Sequence, residues 1–275
     1  MAAQTPLIIN AAICGSSPIS TSPHLPTNPE EIGLQAVEAF EAGASIVHLH
    51  TRDDEGVPSG DKEYHARAIA VIKDAGSDVL INLTTSYSAA TVDDWDKRFE
   101  VLELRPDIAS YDAGTFNWAD HHVFANTPQF LVELAERMKK YGVKPEIEIF
   151  DFGQIGNAFR LAERDLLDFP LYYQFVLGVG GGAPATSKAL NHLRDGLPEN
   201  SVWSVAGIGR HQLNMDVLAI LEGGHARTGL EDNHWFEKGV PATNAGLVRR
   251  VAELAKTLGR EVATPEQARN ILGIG

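Results

Sequence analysis

The stretch SIVHLHTRD, residues 45–53, places two histidines two positions apart in an apolar run that breaks into charge. Side chains alternate across a β-strand, so His48 and His50 share one face, opposite Val47 and Leu49. If the aliphatic face packs against helices, both imidazoles point into the interior of a sheet. The stretch therefore predicts a strand with a buried polar face, and the fold depends on what surrounds it.

Short apolar, β-branched runs of this kind alternate with stretches of helical period along the whole chain. Helical stretches such as NPEEIGLQAVEAFEAG carry apolar residues at spacings of three and four and end at or near glycine. Eight strand and helix units in 275 residues predict a (β/α)8 TIM barrel that fills residues 1–275 as a single domain, since such barrels take about 250 residues. The predicted strands are residues 6–14, 45–53, 78–86, 107–114, 144–151, 171–179, 201–209 and 225–233.

Two further features bear on this fold. An open doubly wound sheet is the alternative, but it calls for a glycine-rich dinucleotide loop after the first strand, where the chain offers only Gly15. The last stretch, TPEQARNILGI, predicts a short extra helix at the C-terminus, because Thr264 and Pro265 form a good helix start.

The composition is that of an ordinary soluble globular protein, whose substrates would come from solution. The chain has 37 acidic against 23 basic residues and a formal charge of -14, which repels nucleic acid and anionic membrane surfaces. No apolar run approaches the length of a membrane helix, which is about 20 residues. Cys14 is the one cysteine, so no internal disulfide forms, and the first residues lack a signal-peptide pattern. We expect a cytoplasmic protein.

A barrel carries its reactive side chains at the C-terminal ends of its strands. In the eighth predicted strand Arg227 and Glu231 share a face, and Asp232 follows. Two imidazoles and one carboxylate with an open coordination position form a common catalytic zinc site, although iron and manganese use similar ligands. The predicted ligands are His48, His50 and Glu231. The alternative is that the histidines are hydrogen-bonded core residues and that Glu231 pairs with Arg227.

Further candidate site residues lie at or after the ends of the third, sixth and seventh predicted strands. Thr84 and Ser86, in NLTTSYS, offer hydroxyl groups to a substrate carboxylate, or they serve the turn itself. Arg210, after the seventh strand, adds a positive charge. The glycine-rich loop at residues 177–185 can bind an anion through its backbone N–H groups, but such a loop equally often only forms a tight turn.

The fifth predicted strand carries two carboxylates on one face. Glu146 and Glu148 both lie in PEIEIFD, and a carboxylate that points into a barrel needs a cation, a metal or a hydrogen-bond network. Glu148 lies closer to the mouth and is the better candidate for the site.

With these residues in place, the chain resembles the β-keto acid cleavage enzymes. The matching stretches span nearly the whole chain in order: VHLHTRD, INLTT, PEIEIFD, QFVLGVGGGAPA, SVAGIGRHQ, GGHARTGLEDN and VATPEQARNILG. The resemblance implies a TIM barrel with one Zn2+ per chain, usually a homotetramer. It also implies an acyltransferase that exchanges acyl groups between a 3-keto acid and acetyl-CoA, giving acetoacetate and a new acyl-CoA.

The resemblance also implies roles for individual residues. Zinc polarises the 3-keto acid, and Asp232, beside Arg227, removes a proton from the carbon between the keto group and the carboxylate. The carbanion attacks the thioester, the CoA thiolate attacks the original keto carbon, and a reverse Claisen step releases acetoacetate. The family's metal ligands fall on His48, His50 and Glu231, its catalytic residues on Asp232, Arg227 and Glu148, and a hydroxyl that holds the substrate carboxylate on Thr84.

Two departures from the family pattern bear on the substrate. Where many members carry TTGG after the third strand, this chain has TTSY, which ends in Ser86 and Tyr87, so the carboxylate cradle is reshaped. Members that act on an aminated keto acid place a glutamate at the end of the first strand, where this chain has Ser16 and Ser17. We expect a neutral or anionic 3-keto acid, with Ser16 near it.

Two other functions remain open at this point. A metal-dependent hydrolase or lyase on the same barrel would use a zinc-activated water and share the two histidines. Hydrolases of the amidohydrolase type carry that pair on the first strand and further histidines on the fifth and sixth strands, where this chain has none. A binding or scaffold protein without a tightly held metal is the third possibility, because fold alone does not establish function.

Overall fold

Eight parallel strands close into a barrel, which confirms the predicted TIM fold. The computed structural model describes residues 5–86, 95–119 and 122–275. Each strand pairs with its neighbours along the chain, and the last pairs with the first. The strands are β1 (Ile9–Ala12), β2 (Ile46–Leu49), β3 (Leu80–Leu83), β4 (Ile108–Asp112), β5 (Lys144–Ile149), β6 (Leu171–Leu177), β7 (Ser201–Gly207) and β8 (His225–Thr228).

Helices surround the barrel and begin at the caps that the sequence offers. Asn28, Thr127 and Thr243 each accept a hydrogen bond from a backbone N–H in the first turn of the helix that follows. The helices are α1 (Pro29–Glu41), α2 (Lys62–Asp74), α3 (Trp95–Phe99), α4 (Pro128–Tyr141), α5 (Phe152–Ala162), α6 (Ser187–Asp195), α7 (Gln212–Glu222), α8 (Asn244–Thr257) and α9 (Pro265–Leu272). Within the described residues, no helix is long and apolar enough to cross a membrane.

The extra C-terminal helix closes one end of the barrel. α9 begins at Pro265 behind the cap residue Thr264, as the sequence predicts. Ala268 and Leu272 pack into an apolar cluster with Ile8, Ile46, Leu80, Ile108 and Tyr172, which lie at or near the N-terminal ends of their strands. This plug leaves the opposite end, where the strands terminate, for polar side chains.

The barrel strands are shorter than their predicted runs, because the last residues of each run leave the barrel ladder at the mouth. After β2, Thr51–Arg52 pairs instead with Pro58–Ser59. After β8, the chain turns at Gly229, whose φ is 150°. A Cβ at Gly229 would lie 2.1 Å from the carbonyl oxygen of Ala12. Only glycine fits this close approach.

Candidate metal and catalytic site

The three predicted metal ligands converge at the mouth of the barrel. His48 lies in β2, His50 follows it directly, and Glu231 lies in the turn after β8. Nε2 of His48 lies 3.7 Å from Glu231 Oε2, and Nε2 of His50 lies 3.4 Å from Oε1. One ligand atom from each residue lies within 4.8 Å of the other two. The side chain of Glu231 runs past Gly15, where a Cβ would lie 2.6 Å from its Cγ.

The protonation states of these groups suit a metal. Burial lowers the pKa of the His48 imidazole to about 3, so the ring is neutral at physiological pH. Burial opposes ionisation of Glu231, but Arg227 and the two histidines outweigh it and hold the pKa of the carboxyl well below its ordinary value. Oε2 of Glu231 is buried and has no hydrogen-bond partner among the described residues. A neutral imidazole, a second imidazole and an ionised carboxylate with an unpaired oxygen fit a divalent metal.

Arg227 holds three carboxylates around this group. Its guanidinium donates to both oxygens of Asp232, at 2.9 and 3.1 Å, to Glu148 Oε1 at 3.2 Å and to Glu231 Oε1 at 2.6 Å. The ion pair between Glu231 and Arg227 that the alternative interpretation requires is therefore present. It occupies Oε1 and leaves Oε2 free for a metal.

Asp232 has the environment of a general base. Burial raises the pKa of this carboxyl above its ordinary value, against the opposing charge of Arg227. The bidentate pair with Arg227 fixes the carboxylate plane, and the backbone carbonyl of Asp232 accepts from Gly209 N at 2.6 Å. A positioned carboxylate with a raised pKa can accept a proton from a carbon acid.

Both glutamates of β5 face the interior, at different depths. Glu146 accepts hydrogen bonds from Asn10, Asn82 and Gln174. Glu148, nearer the mouth, contacts Arg227. The interior therefore accommodates two carboxylates, one in an amide network and one in the Arg227 cluster.

Asp112 is a site residue that the sequence analysis missed. It lies opposite Glu148 in the pairing of β4 with β5, and its Oδ2 lies 3.8 Å from Nη2 of Arg98. Burial raises the pKa of Asp112, and burial together with Asp112 raises the pKa of Glu148 well above its ordinary value. Two neighbouring buried carboxyl groups oppose each other's ionisation. An acid at the end of a predicted strand was the signal that could have identified Asp112.

The predicted substrate residues occupy different positions around the mouth. Thr84 donates to the carbonyl of Ser86 at 2.7 Å, so both residues belong to the turn after β3. Ser16 Oγ lies 3.3 Å from His50 Nδ1. The Arg210 side chain is exposed beside His211, one residue after the Gly209 that contacts Asp232. Tyr87 lies outside the described residues.

The glycine-rich loop after β6 packs against its neighbour. A Cβ at Gly181 would lie 1.8 Å from the carbonyl oxygen of Asn117, and one at Gly180 would lie 2.7 Å from the Cβ of Ala119. Gly180 also accepts a hydrogen bond from Ala119 N at 2.8 Å. Close packing against residues 117–119 accounts for these two glycines.

Comparison with known proteins places this geometry in a family. A family model described as beta-keto acid cleavage enzyme matches residues 6–274. A 3-keto-5-aminohexanoate cleavage enzyme of Acetoanaerobium sticklandii is 43% identical over 270 residues, 98% of each chain. A 3-oxoadipate:acetyl-CoA acetyltransferase of Cupriavidus necator is 38% identical over 274 residues, which cover 98% of this chain and 95% of the relative.

A solved structure shares the fold. The chain of ObcA in its binary complex with oxaloacetate superposes with a TM-score of 0.74 at 22% identity, over 92% of this chain and 68% of that chain. At this level of identity the likeness concerns the barrel alone.

Proposed function

The chain belongs to the beta-keto acid cleavage enzyme family, and we propose that it transfers the acetyl group of acetyl-CoA to a 3-keto acid and cleaves the adduct to acetoacetate and a new acyl-CoA. The observation that supports this reaction most strongly is that His48, His50 and Glu231 converge beside the Arg227–Asp232 pair. The matching relatives are transferases and keto acid cleavage enzymes, which favours this reaction over hydrolysis by an activated water.

Asp232 is the proposed general base. It removes a proton from the carbon between the keto group and the carboxylate of the substrate, and it later returns that proton to the same carbon of the acetoacetate carbanion. Asp232 therefore ends the cycle in the state in which it began. Arg227 holds the carboxylate plane through two hydrogen bonds and keeps it in place while its charge changes.

The metal is the second part of the proposal. His48, His50 and Glu231 would hold one Zn2+ per chain, because two imidazoles and an ionised carboxylate would leave a coordination position for a ligand from the substrate. When bound, zinc acts as a Lewis acid that acidifies the substrate carbon next to the keto group. Glu148 assists by anchoring Arg227 from the opposite side.

The substrate is the third part. We assign Thr84 and Ser86 to the substrate carboxylate, since both lie in the turn after β3, next to the strand that carries His48. Ser16 lies beside His50 where a charged partner for an ammonium group would be expected. Arg210 adds a positive charge one residue after Gly209, whose N–H donates to the Asp232 carbonyl. The proposed substrate is a neutral or anionic 3-keto acid.

The setting of the enzyme completes the proposal. The acidic composition fits an enzyme that takes its substrates from solution, and we propose a cytoplasmic location. Family membership supports a homotetramer of single-barrel chains. Light scattering of the purified chain tests this state directly, and a stable monomer would contradict it.

The reaction is tested with a panel of 3-keto acids. Zinc-loaded protein is incubated with 3-oxoadipate, 3-oxohexanoate or 3-keto-5-aminohexanoate, with and without acetyl-CoA. Acetoacetate and a new acyl-CoA should appear only when the thioester is present, with 3-keto-5-aminohexanoate the poorest substrate. Turnover that does not depend on acetyl-CoA would contradict the proposed reaction.

A further inference from the structure

We propose that Asn82 is a positioning residue that fixes the ring tautomer of His48, so that Nε2 of this histidine is free to bind the metal. This inference rests on the metal site of the proposed function. It assigns a role to a polar network inside the barrel that the reaction itself does not use.

The first observation is a pair of buried polar atoms on directly paired residues. His48 and Asn82 are Cα partners in the register between β2 and β3. Nδ1 of His48 and Oδ1 of Asn82 are both buried, and neither has a hydrogen-bond partner of normal geometry among the described residues. A proton on Nδ1 would let the ring donate to the amide oxygen, which would give both orphaned atoms a partner.

The second observation is that Glu146 fixes the direction of the Asn82 amide. Nδ2 of Asn82 donates to Glu146 Oε1 at 2.7 Å. The same carboxyl group accepts from Asn10 at 2.9 Å and from Gln174 at 3.1 Å, so amide donors surround it. In the structure the nitrogen of Asn82 faces Glu146, the arrangement that an accepting carboxyl oxygen requires. The oxygen is left for His48.

The consequence is a defined tautomer before any metal arrives. Nδ1 of His48 carries the proton and donates a hydrogen bond to Oδ1 of Asn82. Nε2 then presents its lone pair toward Glu231, whose Oε2 lies 3.7 Å away. The other ligand has a less selective partner: the hydroxyl of Ser16, 3.3 Å from Nδ1 of His50, can donate or accept. Groups that orient a histidine ligand from behind typically contribute 10- to 100-fold to metal affinity.

The experiment compares Asn82→Ala with Asn10→Ala. Both remove a buried amide that donates to Glu146, but Asn10 aligns with Ile46 and Arg227, neither of which is a proposed metal ligand. Zinc affinity is measured by competition with a chromophoric chelator. Asn82→Ala should weaken binding by about 10- to 100-fold, while Asn10→Ala stays within about threefold of the unaltered chain. Equal effects of the two substitutions, or no effect of Asn82→Ala, would overturn the inference.

A second readout needs no variant. In the zinc-free unaltered chain, long-range proton–nitrogen correlation spectra should show His48 with its proton on Nδ1, and a proton on Nε2 would overturn the inference. If the unaltered chain binds no zinc, the metal site of the proposed function fails. The tautomer then still reports separately on Asn82.

Discussion

Arg227 is the residue on which the two parts of the site depend. It donates to the proposed metal ligand Glu231 and to the proposed base Asp232, and Glu148 accepts a third interaction from it. These groups are neighbours, but in the proposed reaction they serve different steps. Substitutions should therefore separate metal binding from proton transfer.

We expect His48→Ala and Glu231→Gln to lose zinc and turnover together, because each removes one of three ligands. Asp232→Asn should retain zinc and lower turnover by about 10²- to 10⁴-fold, the usual contribution of a general base. Elemental analysis and initial rates on the same samples measure both properties. The exposed His24 offers a matched control, and His24→Ala should change neither property. Loss of zinc from Asp232→Asn, with zinc retained in Glu231→Gln, would exchange their roles.

At the scale of residues, part of this site could be predicted from the sequence. The two-residue spacing of His48 and His50 predicted that they share a face, and the acidic pair after the eighth strand supplied the third ligand. The sequence does not predict that Asp112 lies opposite Glu148, or that Asn82 lies opposite His48. Both depend on the register between strands far apart in the chain, which side-chain alternation along one strand does not determine.

At the scale of elements, the turn after β8 decides where Glu231 lies. Strand alternation placed Arg227 and Glu231 on one face of a strand that continues to residue 233, yet β8 ends at Thr228. The turn at Gly229 brings Glu231 N to the carbonyl of Ala12 at 3.1 Å. The sequence contains the glycine, but the close approach to β1 becomes apparent only in the folded barrel.

Gly229→Ala should destabilise the chain strongly. Its Cβ would lie 2.1 Å from the Ala12 carbonyl oxygen, at a φ of 150°, so we expect a loss of at least about 3 kcal/mol in the free energy of unfolding. Gly239→Ala is the matched control, because Gly239 also has a positive φ but no atom within 4 Å of its Cβ position. It should cost about 1–2 kcal/mol. Urea unfolding of both variants measures the difference, and equal losses would contradict this role of Gly229.

At the scale of the whole molecule, the sequence predicted the barrel because eight apolar runs alternate with helical stretches. All eight barrel strands lie within their predicted runs. The exact strand ends were not predictable, because polar residues at the mouth satisfy their backbone groups through turns and small ribbons such as Thr51–Arg52 with Pro58–Ser59. These interactions are set by the closed barrel.

Buried histidines should make the fold sensitive to acid. Burial lowers the pKa of His225 to about 3, and its Nδ1 accepts a hydrogen bond from Ile8 N at 3.0 Å. The unfolded ring binds a proton below about pH 6.5, while the folded ring stays neutral until about pH 3. Stability is therefore complete above pH 6.5 and falls by about 1.4 kcal/mol per pH unit for this group below it.

His225→Gln tests this dependence, because glutamine can still accept from Ile8 N but does not titrate. Urea unfolding is measured in the presence of a chelator at pH values between 7 and 4.5. The slope of the free energy of unfolding against pH should be smaller in the variant, by the amount that corresponds to about one proton. Identical slopes for the two chains would show that His225 does not contribute to the acid sensitivity.

The fate of the acetyl group tests the proposed reaction most directly. Zinc-loaded chain is incubated with a 3-keto acid and acetyl-CoA labelled with ¹³C in both acetyl carbons, and the products are read by NMR. If the substrate carbanion attacks the thioester, both labels appear in the third and fourth carbons of acetoacetate, and the new acyl-CoA is unlabelled. Label in free acetate or in the new acyl-CoA, with none in acetoacetate, would contradict the account.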